Sequence, residues 1–432
     1  MRVVNPDLGS DISKLAITQI KKQMRTAILR DTKINQAIVV NITDRDGWLD
    51  LLIVNYVDYD RTRVCSGGDG RQDFCGPSAF AGTMSRLFHN LGKAPDSESP
   101  TVQFEDVSVK SGLADWRAPG LGAVCADFTG DRWPDMLITN DGKPNWLCVN
   151  QGDGTFREEA TQHGVAVNSM GVSEGSMGIA VGDLNNDGLF DVFVTHLVSE
   201  RHRLWMQGPA GIFDDATARA QLLDATHKST GFGALFVDFD NDGDLDLAIA
   251  NGAVKRPETV LPQSGEDFWK PYWQTNQLIQ NQEDARFQDV SRDEPSFCDA
   301  PGVWRALASG DFDNDGGQDL LVTRIGDTPL LLHNTVPNRG HWLSVRAVDP
   351  DLKRDAYGAV ITVVAGEKKW TGLLNPGRSY VSSCDPRVHF GLGAVEQIDQ
   401  IIVLWPDGRE EMFPGQTVDR FVVLERGKGR SL

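Results

Sequence analysis

The 432-residue sequence lacks several features that would place it in a common functional class. It contains no run of 18 apolar residues, so no membrane span is predicted. Lys and Arg number 42 against 61 Asp and Glu, a net charge of −19, and no basic patch favours nucleic acid. The eight histidines show no H-E-x-x-H or other zinc spacing. A membrane span, nucleic-acid binding and zinc-dependent hydrolysis are therefore disfavoured.

Aspartate, in contrast, is concentrated at particular places in the chain. The stretch DFDNDGDLD, residues 238–246, puts carboxylates at loop positions 1, 3, 5 and 9 and Gly at position 6, where the chain must turn. Hard oxygen donors in this number suit Ca²⁺, because Mg²⁺ demands tighter octahedral geometry and Zn²⁺ prefers His or Cys. A solvated acidic turn is the alternative for a single copy.

The pattern recurs along the chain, which weakens the acidic-turn alternative. DLNNDGLFD, DFDNDGDLD and DFDNDGGQD are complete, and we expect these three to bind Ca²⁺ strongly. ITDRDGWLD has Ile42 at position 1, and DFTGDRWPD has Thr129 at position 3 and Arg132 where Gly belongs, so weaker binding is expected there. The strong ligands are predicted to be Asp183, Asn185, Asp187, Asp191, Asp238, Asp240, Asp242, Asp246, Asp311, Asp313, Asp315 and Asp319, and the weaker ones Asp44, Asp46, Asp50, Asp127, Asp131 and Asp135.

The residues around the loops predict strands and not the helices of an EF-hand. An EF-hand carries a bidentate Glu at position 12, where this chain has Val194, Ile249 and Val322. Runs rich in β-branched and apolar residues, such as FGALFV before one loop and DLAIANG after it, are typical of strands. Segments such as NQLIQNQE and ARFQDVS follow, so each unit of about 55 residues contains four short strands. Recurring units of this kind predict an all-β protein built as a β-propeller.

These motifs resemble a known family. GFGALFVDFDNDGDLDLAIANG is similar to the FG-GAP, or VCBS-type, repeat of integrin-like β-propellers. HWLSVRAVDPDLKRDAYGAVITVV, SYVSSCDPRVHFGLG and VLWPDGREE resemble the ASPIC/UnbV domain of the cartilage acidic protein-like family. The resemblance implies an integrin-like propeller, with five visible units and up to seven blades, followed by a small β-rich domain. It divides the chain into a segment of unknown role at 1–35, a propeller at 36–337 and the second domain at 338–432.

The first 35 residues bear on the cellular compartment. They contain no apolar core of signal-peptide length, and ISKLAITQIKKQMRTAIL is typical of a short amphipathic helix. The Ca²⁺ loops nevertheless favour an extracellular or periplasmic location, where calcium is plentiful. We expect such a location, with a start that is truncated or misassigned, and a cytosolic protein is the alternative.

Two insertions interrupt the repeat and supply the candidate partner surface, because loops on a rigid scaffold commonly carry function. The first contains CSGGDGRQDFC, in which Cys65 and Cys75 are candidates for a disulfide in an oxidising compartment, with two free thiols as the alternative. The second contains a dense group of rings that either contacts a partner or packs onto the propeller. The aromatic candidates are Phe268, Trp269, Tyr272 and Trp273.

No recognisable constellation of acid, base and nucleophile is present in the sequence. GVSEG matches the G-x-S-x-G elbow in form only, because a strand and an acidic loop follow Ser173 where that motif needs a helix. We therefore predict a non-enzymatic, monomeric, Ca²⁺-binding module that recognises a protein or a glycan. The alternative is an accessory or catalytic role in natural-product biosynthesis of the enediyne type, which the UnbV resemblance implies.

Overall fold

The computed structural model describes residues 2–4, 35–41, 43–68, 70–93, 102–256 and 268–432. These residues form an almost entirely β structure, which begins with five four-stranded antiparallel sheets. The first strand of each sheet lies against the first strand of the next, as in propeller blades. The predicted all-β propeller architecture is confirmed. The described residues contain no helix that is long and apolar enough to cross a membrane.

The propeller strands, in chain order, are β1 (Arg2–Val4), β2 (Asn35–Asn41), β3 (Asp50–Asn55), β4 (Cys65–Ser66), β5 (Gln72–Asp73), β6 (Thr83–Met84), β7 (Arg86–Lys93), β8 (Val102–Asp106), β9 (Arg117–Ala118), β10 (Gly120–Ala126), β11 (Asp135–Asn140), β12 (Trp146–Asn150), β13 (Phe156–Glu158), β14 (Ile179–Gly182), β15 (Asp191–Val194), β16 (Arg203–Gln207), β17 (Phe213–Asp215), β18 (Gly231–Val237), β19 (Asp246–Asn251), β20 (Gln277–Asn281), β21 (Phe287–Asp289), β22 (Trp304–Gly310), β23 (Asp319–Arg324) and β24 (Leu330–His333). Blade one is β2-β3-β7-β8, blade two β10-β11-β12-β13, blade three β14-β15-β16-β17, blade four β18-β19-β20-β21 and blade five β22-β23-β24-β1. Short helices α1 (Ala160–His163) and α2 (Pro295–Cys298) follow blades two and four.

Blade five takes its fourth strand from the other end of the propeller sequence. β1 pairs antiparallel with β24, and Val3 lies opposite Leu332. Backbone hydrogen bonds thereby join the N-terminal strand to the last blade. The sequence assigned no role to residues 1–35, and this pairing gives a structural role to part of that segment. The amphipathic helix predicted at residues 12–29 lies outside the described residues.

Neighbouring blades approach closely because glycines stand in or beside their first strands. A Cβ atom at Gly178 would lie 1.8 Å from the carbonyl oxygen of Phe232, the first phenylalanine of β18. The hydrophobic core consequently lies between blades. Leu204, Phe236 and Leu247, for example, pack together between blades three and four.

Residues 341–431 form a second β domain. Its strands are β25 (His341–Asp349), β26 (Arg354–Asp355), β27 (Val360–Ala365), β28 (Lys368–Leu373), β29 (Val388–Gly393), β30 (Gln400–Leu404), β31 (Glu410–Pro414), β32 (Arg420–Glu425) and β33 (Arg430–Ser431). One sheet has the order β26-β25-β29, with β32 parallel to β25, and the other has the order β28-β27-β30-β31-β33. Leu343, Ile361, Phe390 and Trp405 belong to the core of this domain.

Candidate metal loops and the domain that covers them

Each aspartate-rich loop joins the first and second strands of its blade, so the five loops lie at the same end of the sheets. In blade four, the Asp246 carboxylate accepts hydrogen bonds from the N–H of Phe239 at 3.2 Å and from the N–H of Asn281 at 2.8 Å. The Asp238 carboxylate accepts one from the N–H of Gly243 at 2.9 Å. These local bonds to backbone groups hold both carboxylates within the loop.

The third strand of every blade fixes the last carboxylate of its loop. The carboxylates of Asp50, Asp135, Asp191, Asp246 and Asp319 each accept a hydrogen bond from a backbone N–H in or directly after that strand. The donors are Asn90, Asn150, Gln207, Asn281 and Asn334, at 2.8, 2.9, 2.8, 2.8 and 2.7 Å. All five loops therefore share one plan, although their side-chain donors differ.

Left-handed backbone at positions 4 and 6 lets each loop turn around its centre. In blade four these positions are Asn241, with φ of 58°, and Gly243, with φ of 102°. Glycine adopts this conformation freely and asparagine tolerates it. Position 6 of blade two is Arg132, whose φ is 70°, so this loop keeps the same turn at a cost in backbone strain.

The loop of blade four fits a cation best. Donor atoms of Asp238, Asp240 and Asp246 lie within 4.8 Å of one another. Burial, and then the neighbouring carboxylates, raise the pKa of Asp238 and Asp246 well above their usual range. Among the described residues, Asp240 Oδ1 is buried without a hydrogen-bond partner. A bound Ca²⁺ would satisfy that oxygen and offset the repulsion between the carboxylates.

The predicted ligands of blades three and five are arranged differently from those of blade four. Burial is the main cause that raises the pKa of Asp183 to about 6 and that of Asp191 to about 7. In blade five, donor atoms of Asp311, Asp313 and Asp315 lie within 4.8 Å of one another. Blade three completes its loop with Asn185 and Asp187, whose side chains are joined by a 2.9 Å hydrogen bond.

The two loops with incomplete patterns, in blades one and two, also contain buried carboxylates. The guanidinium of Arg132 in blade two lies 2.8 Å from Glu410 of the second domain and so is directed away from the loop centre. Burial raises the pKa of Asp135 to about 7, and burial is also the main cause that raises the pKa of Asp46 in blade one to about 6. Ile42 lies outside the described residues. The weaker affinity expected of both loops stays a prediction.

The second domain lies over the loop end of the propeller and contacts the loops of blades one, two, four and five. Most of these contacts join its arginine and histidine side chains to loop backbone or amide oxygens. The contacts include His389 Nε2 with Asn241 Oδ1 at 2.9 Å, Arg387 with the Asp311 carbonyl oxygen at 2.8 Å, Arg354 with the Gly47 carbonyl oxygen, and Glu410 with Arg132. Loop conformation and the docking of this domain are therefore coupled.

A segment between β28 and β29 enters the centre of the propeller from that end. Ser382 donates a hydrogen bond to the carbonyl oxygen of Leu307 at 2.8 Å. Tyr380 packs on Phe232, with 5.1 Å between ring centroids. The same hydrophobic cluster contains Leu121, Met177 and Phe232, which come from blades two, three and four. A side chain of the second domain thus packs against residues from three blades.

The two insertions meet at the opposite end of the blades. The structure joins Cys65 to Cys75 by a disulfide bond, with 5.2 Å between the Cα atoms. In the loop that this bond closes, Asp73 accepts hydrogen bonds from the Tyr272 hydroxyl at 2.7 Å and from the Arg256 N–H at 3.0 Å. The insertion of blade one is thereby tied to that of blade four.

An aromatic ridge, formed by Phe74, Phe268 and Trp269, covers this junction. The rings of Phe74 and Trp269 are nearly parallel with centroids 6.3 Å apart, and Phe268 packs edge-on against Trp269 at 5.0 Å. Phe268 is 62% exposed and Trp273, a few residues on, is 38% exposed, whereas Tyr272 is buried. Of the four predicted contact residues, Tyr272 therefore packs onto the protein itself, while Phe268 and Trp273 face solvent.

A serine and histidine pair lies away from the loops, in blade three. Ser176 Oγ is 3.1 Å from His196 Nε2, and Glu174 is 3.9 Å from that same nitrogen. A catalytic triad needs its carboxylate on the other ring nitrogen. Both members of the pair are buried, and burial lowers the pKa of His196 to about 3. The pair is therefore a packed polar contact.

Sequence reasoning missed the positions of two histidines, His89 and His333, because it searched the histidines only for zinc-binding spacing along the chain. The structure brings His89 to Asp44 and Asp50 in blade one, and it brings His333 to the equivalent loop of blade five. A signal was present in the sequence, because the pair His-Asn occurs near the end of both third-strand segments, SRLFHNLG and TPLLLHNT.

Comparison with protein families matches both parts of the chain. The FG-GAP-like repeat matches residues 127–194, and the ASPIC and UnbV family matches residues 350–431. Part of the propeller is thus similar to the FG-GAP-like repeat, and most of the second domain is similar to the ASPIC and UnbV family, for which it is called the ASPIC/UnbV domain below. The resemblance predicted from the chain's motifs is confirmed.

Curated proteins to which this chain is similar are named cartilage acidic protein 1. The Xenopus tropicalis protein is 26% identical over 321 residues, which are 71% of this chain and 45% of the relative. The Mus musculus protein is 24% identical over 324 residues, which are 73% of this chain and 46% of the relative. The chain thus spans less than half the length of the curated relatives that it matches.

Solved structures with similarity include two lectins. An Agrocybe aegerita lectin that recognises non-reducing terminal N-acetylglucosamine is 14% identical, with a TM-score of 0.31 over 70% of this chain and 81% of the lectin. The BP39L lectin from Burkholderia pseudomallei is 10% identical, with a TM-score of 0.32 over 88% of this chain and 96% of the lectin.

Proposed function

We propose that this chain is a non-enzymatic recognition module in which Ca²⁺, bound by the FG-GAP loops, stabilises the propeller and the docking of the ASPIC/UnbV domain. The loop of blade four carries the proposal, because three of its carboxylates converge and a buried oxygen of Asp240 lacks a partner. Ca²⁺ takes about six to eight oxygen ligands, which the carboxylates, the carbonyl oxygen at position 7 and water would supply.

The proposed role of the metal is structural. Carboxylates about 4 Å apart repel one another by about 1 to 4 kcal/mol per pair, depending on the effective dielectric, and coordination would turn this repulsion into attraction. With a dissociation constant of about 10⁻⁴ M, millimolar Ca²⁺ stabilises each site by about 1.4 kcal/mol, or about 4 kcal/mol for three independent sites. Because the second domain contacts the loops, it would share this stabilisation.

Recognition is assigned to the aromatic ridge and to Trp273 beside it. Exposed clusters of large apolar side chains are typical of contact surfaces, and aromatic residues are enriched in them. The ridge stands at the end of the blades that the ASPIC/UnbV domain leaves uncovered, so a protein or glycan could reach it. The biosynthetic alternative would require a reactive group open to substrate, which the buried pair of Ser176 and His196 does not provide.

An extracellular or periplasmic location agrees with both features of the proposal. Disulfide bonds persist in oxidising compartments, and one closes the loop that supports the ridge. Calcium sites of modest affinity fill where the ion is abundant. The module is proposed to act there as a monomer.

Two measurements on the full chain test the proposal. Calorimetric titration of metal-stripped protein with Ca²⁺, together with melting curves with and without chelator, should show uptake of about three ions and a gain of several degrees. Capture on arrays of immobilised glycans and of secreted proteins should depend on Ca²⁺ and distinguish the two classes of ligand. Absence of Ca²⁺ uptake with an unchanged melting temperature would overturn the metal role.

A further inference from the structure

Histidine side chains face the acidic loops in blades one and five. Each stands in the third strand of its blade, one residue before the asparagine whose N–H holds the last carboxylate of the loop. His89 Nδ1 lies 3.1 Å from Asp50 Oδ1 and 3.3 Å from Asp44 Oδ2. The corresponding distances in blade five are 3.0 Å from His333 Nδ1 to Asp319 Oδ1 and 3.6 Å to Asp313 Oδ2.

The same strand position is occupied differently in the other three blades. It is Val149 in blade two, Met206 in blade three and Gln280 in blade four. Gln280 Nε2 lies 3.1 Å from Asp240 Oδ2, so a polar side chain at this position reaches the position-3 carboxylate there too. The repeat therefore provides a sixth ligand position, in addition to loop positions 1, 3, 5, 7 and 9. In blades one and five this position carries a histidine, whose ring nitrogen faces the loop.

A hydrogen bond to one aspartate explains only part of this geometry. An Nδ1–H group has one hydrogen, yet each ring nitrogen approaches two carboxylates. The nearer carboxylate, that of Asp50 or Asp319, already accepts a hydrogen bond from a backbone N–H, at 2.8 Å in blade one and at 2.7 Å in blade five. Metal bonds of about 2.1 Å separate neighbouring donors by about 3.0 Å in an octahedron and about 3.4 Å in a tetrahedron. The four nitrogen-to-oxygen distances, 3.0 to 3.6 Å, fall around these values.

We propose that the loops of blades one and five form mixed nitrogen and oxygen sites for a borderline divalent transition ion, with Zn²⁺ as the representative. Imidazole favours such ions, whereas all-oxygen donor sets such as those of blades three and four favour Ca²⁺. About a quarter of each imidazole is exposed, so an ion can enter from solvent. The inference rests on the proposed function only in that the loops hold cations. It makes blade one, an expected weak Ca²⁺ site, a strong site for a different metal. It also makes blade five, one of the three expected Ca²⁺ sites, a site at which Zn²⁺ displaces Ca²⁺.

The test uses the metal-stripped full chain, saturated with Ca²⁺ and then titrated calorimetrically with Zn²⁺. Two Zn²⁺ ions per chain are expected. The double variant His89→Gln, His333→Gln should bind Zn²⁺ at least about 100-fold more weakly while its Ca²⁺ titration shows that it is folded. His341→Gln is the matched control, because His341 Nδ1 contacts a single carboxylate, that of Asp419, at 2.7 Å.

A gain of binding gives a second readout. Gln280→His would place a ring nitrogen beside Asp240, so a third Zn²⁺ ion should be taken up. Uptake of Ca²⁺ without Zn²⁺, or Zn²⁺ uptake that the double histidine variant leaves unchanged, would overturn this inference and leave the proposed function standing. Uptake of neither ion would defeat both.

Discussion

Tyr380 of the ASPIC/UnbV domain packs against Phe232 of blade four, at 5.1 Å between ring centroids and an interplanar angle of 62°. The guanidinium of Arg305 lies 3.9 Å from the centroid of the same phenylalanine ring. Burial is the main cause that raises the pKa of Tyr380 and lowers that of Arg305 to about 10. The second domain is thus anchored inside the propeller as well as on its loops.

Tyr380→Ala should weaken this anchor. Removal of the ring leaves a cavity among Leu121, Met177 and Phe232, and we expect a loss of about 2 to 3 kcal/mol in the free energy of unfolding measured with urea. Tyr59→Ala is the control, because it removes the same atoms from a side chain that is 46% exposed. It should lower the free energy of unfolding by no more than about 0.5 kcal/mol. Equal stability of the two variants would show that the insertion contributes no anchor.

Asp242→Asn should remove one Ca²⁺ site. Asp242 is at position 5 of the loop that fits a cation best, and the amide is a weaker ligand than the carboxylate. Calorimetric titration should then find about two strong sites where the parent has about three. Asp224→Asn makes the same change of charge at an exposed position outside the loops and should leave the stoichiometry unchanged. A parent and an Asp242 variant with identical titrations would contradict the assignment.

Mild acidification should raise the stability of the folded protein in the absence of Ca²⁺ and lower it when Ca²⁺ is bound. Burial raises the pKa of Asp135 and Asp191 to about 7 and that of Asp183 to about 6, from an ordinary value of 3.8. In chelator the folded state therefore binds protons that the unfolded state does not, so its stability should rise as pH falls from about 7.5 to about 6 and be lost as pH rises through 7. With Ca²⁺ bound, protons compete with the metal and the melting temperature should fall.

The buried histidines affect the pH dependence of stability in the opposite direction to the loop aspartates. Burial lowers the pKa of His196 and His389 to about 3, so their contribution to stability is lost as pH falls below about 6.5. If melting curves are measured only between about pH 7.5 and 6, this loss stays small, because the ordinary pKa of histidine is about 6.5. A shift of the same sign in chelator and in Ca²⁺ would mean that the loop aspartates do not govern the pH dependence.

Cys65 and Cys75 should be found linked when the protein is produced in an oxidising compartment. Their Cα atoms are 5.2 Å apart, within the range that a disulfide bond spans. Peptide mapping without reductant should recover the linked pair. Complete alkylation of both thiols in native exported protein would refute the pairing.

Phe268→Ala combined with Trp273→Ala should weaken ligand capture and spare stability. Both side chains are exposed, and large aromatic residues dominate the energy of contact surfaces, so we expect affinity for the captured glycan or protein to fall about 10-fold or more. Val109→Ala, at a side chain that is 81% exposed elsewhere, is the control. A large drop in melting temperature of the double variant would instead assign these rings to packing.

The sequence by itself determined the features that depend on neighbours along the chain. The loop from Asp238 to Asp246 spans nine residues, so its donor order, its turn at Gly243 and its flanking strands follow from local spacing and backbone preference. Recurrence of that pattern predicted the blades, and the motifs after β24 predicted the second domain. These features need no knowledge of how the sheets are arranged.

Tertiary structure alone decided the contacts between residues far apart in the chain. His89 meets Asp50 across 39 residues and Tyr272 meets Asp73 across 199, because strand pairing and the placement of insertions bring them together. The pairing of β1 with blade five and the insertion of Tyr380 among three blades are decided in the same way. Local patterns specify which segments become strands, but the sheet order and the packing of one domain into another depend on burying all of their apolar surfaces at once.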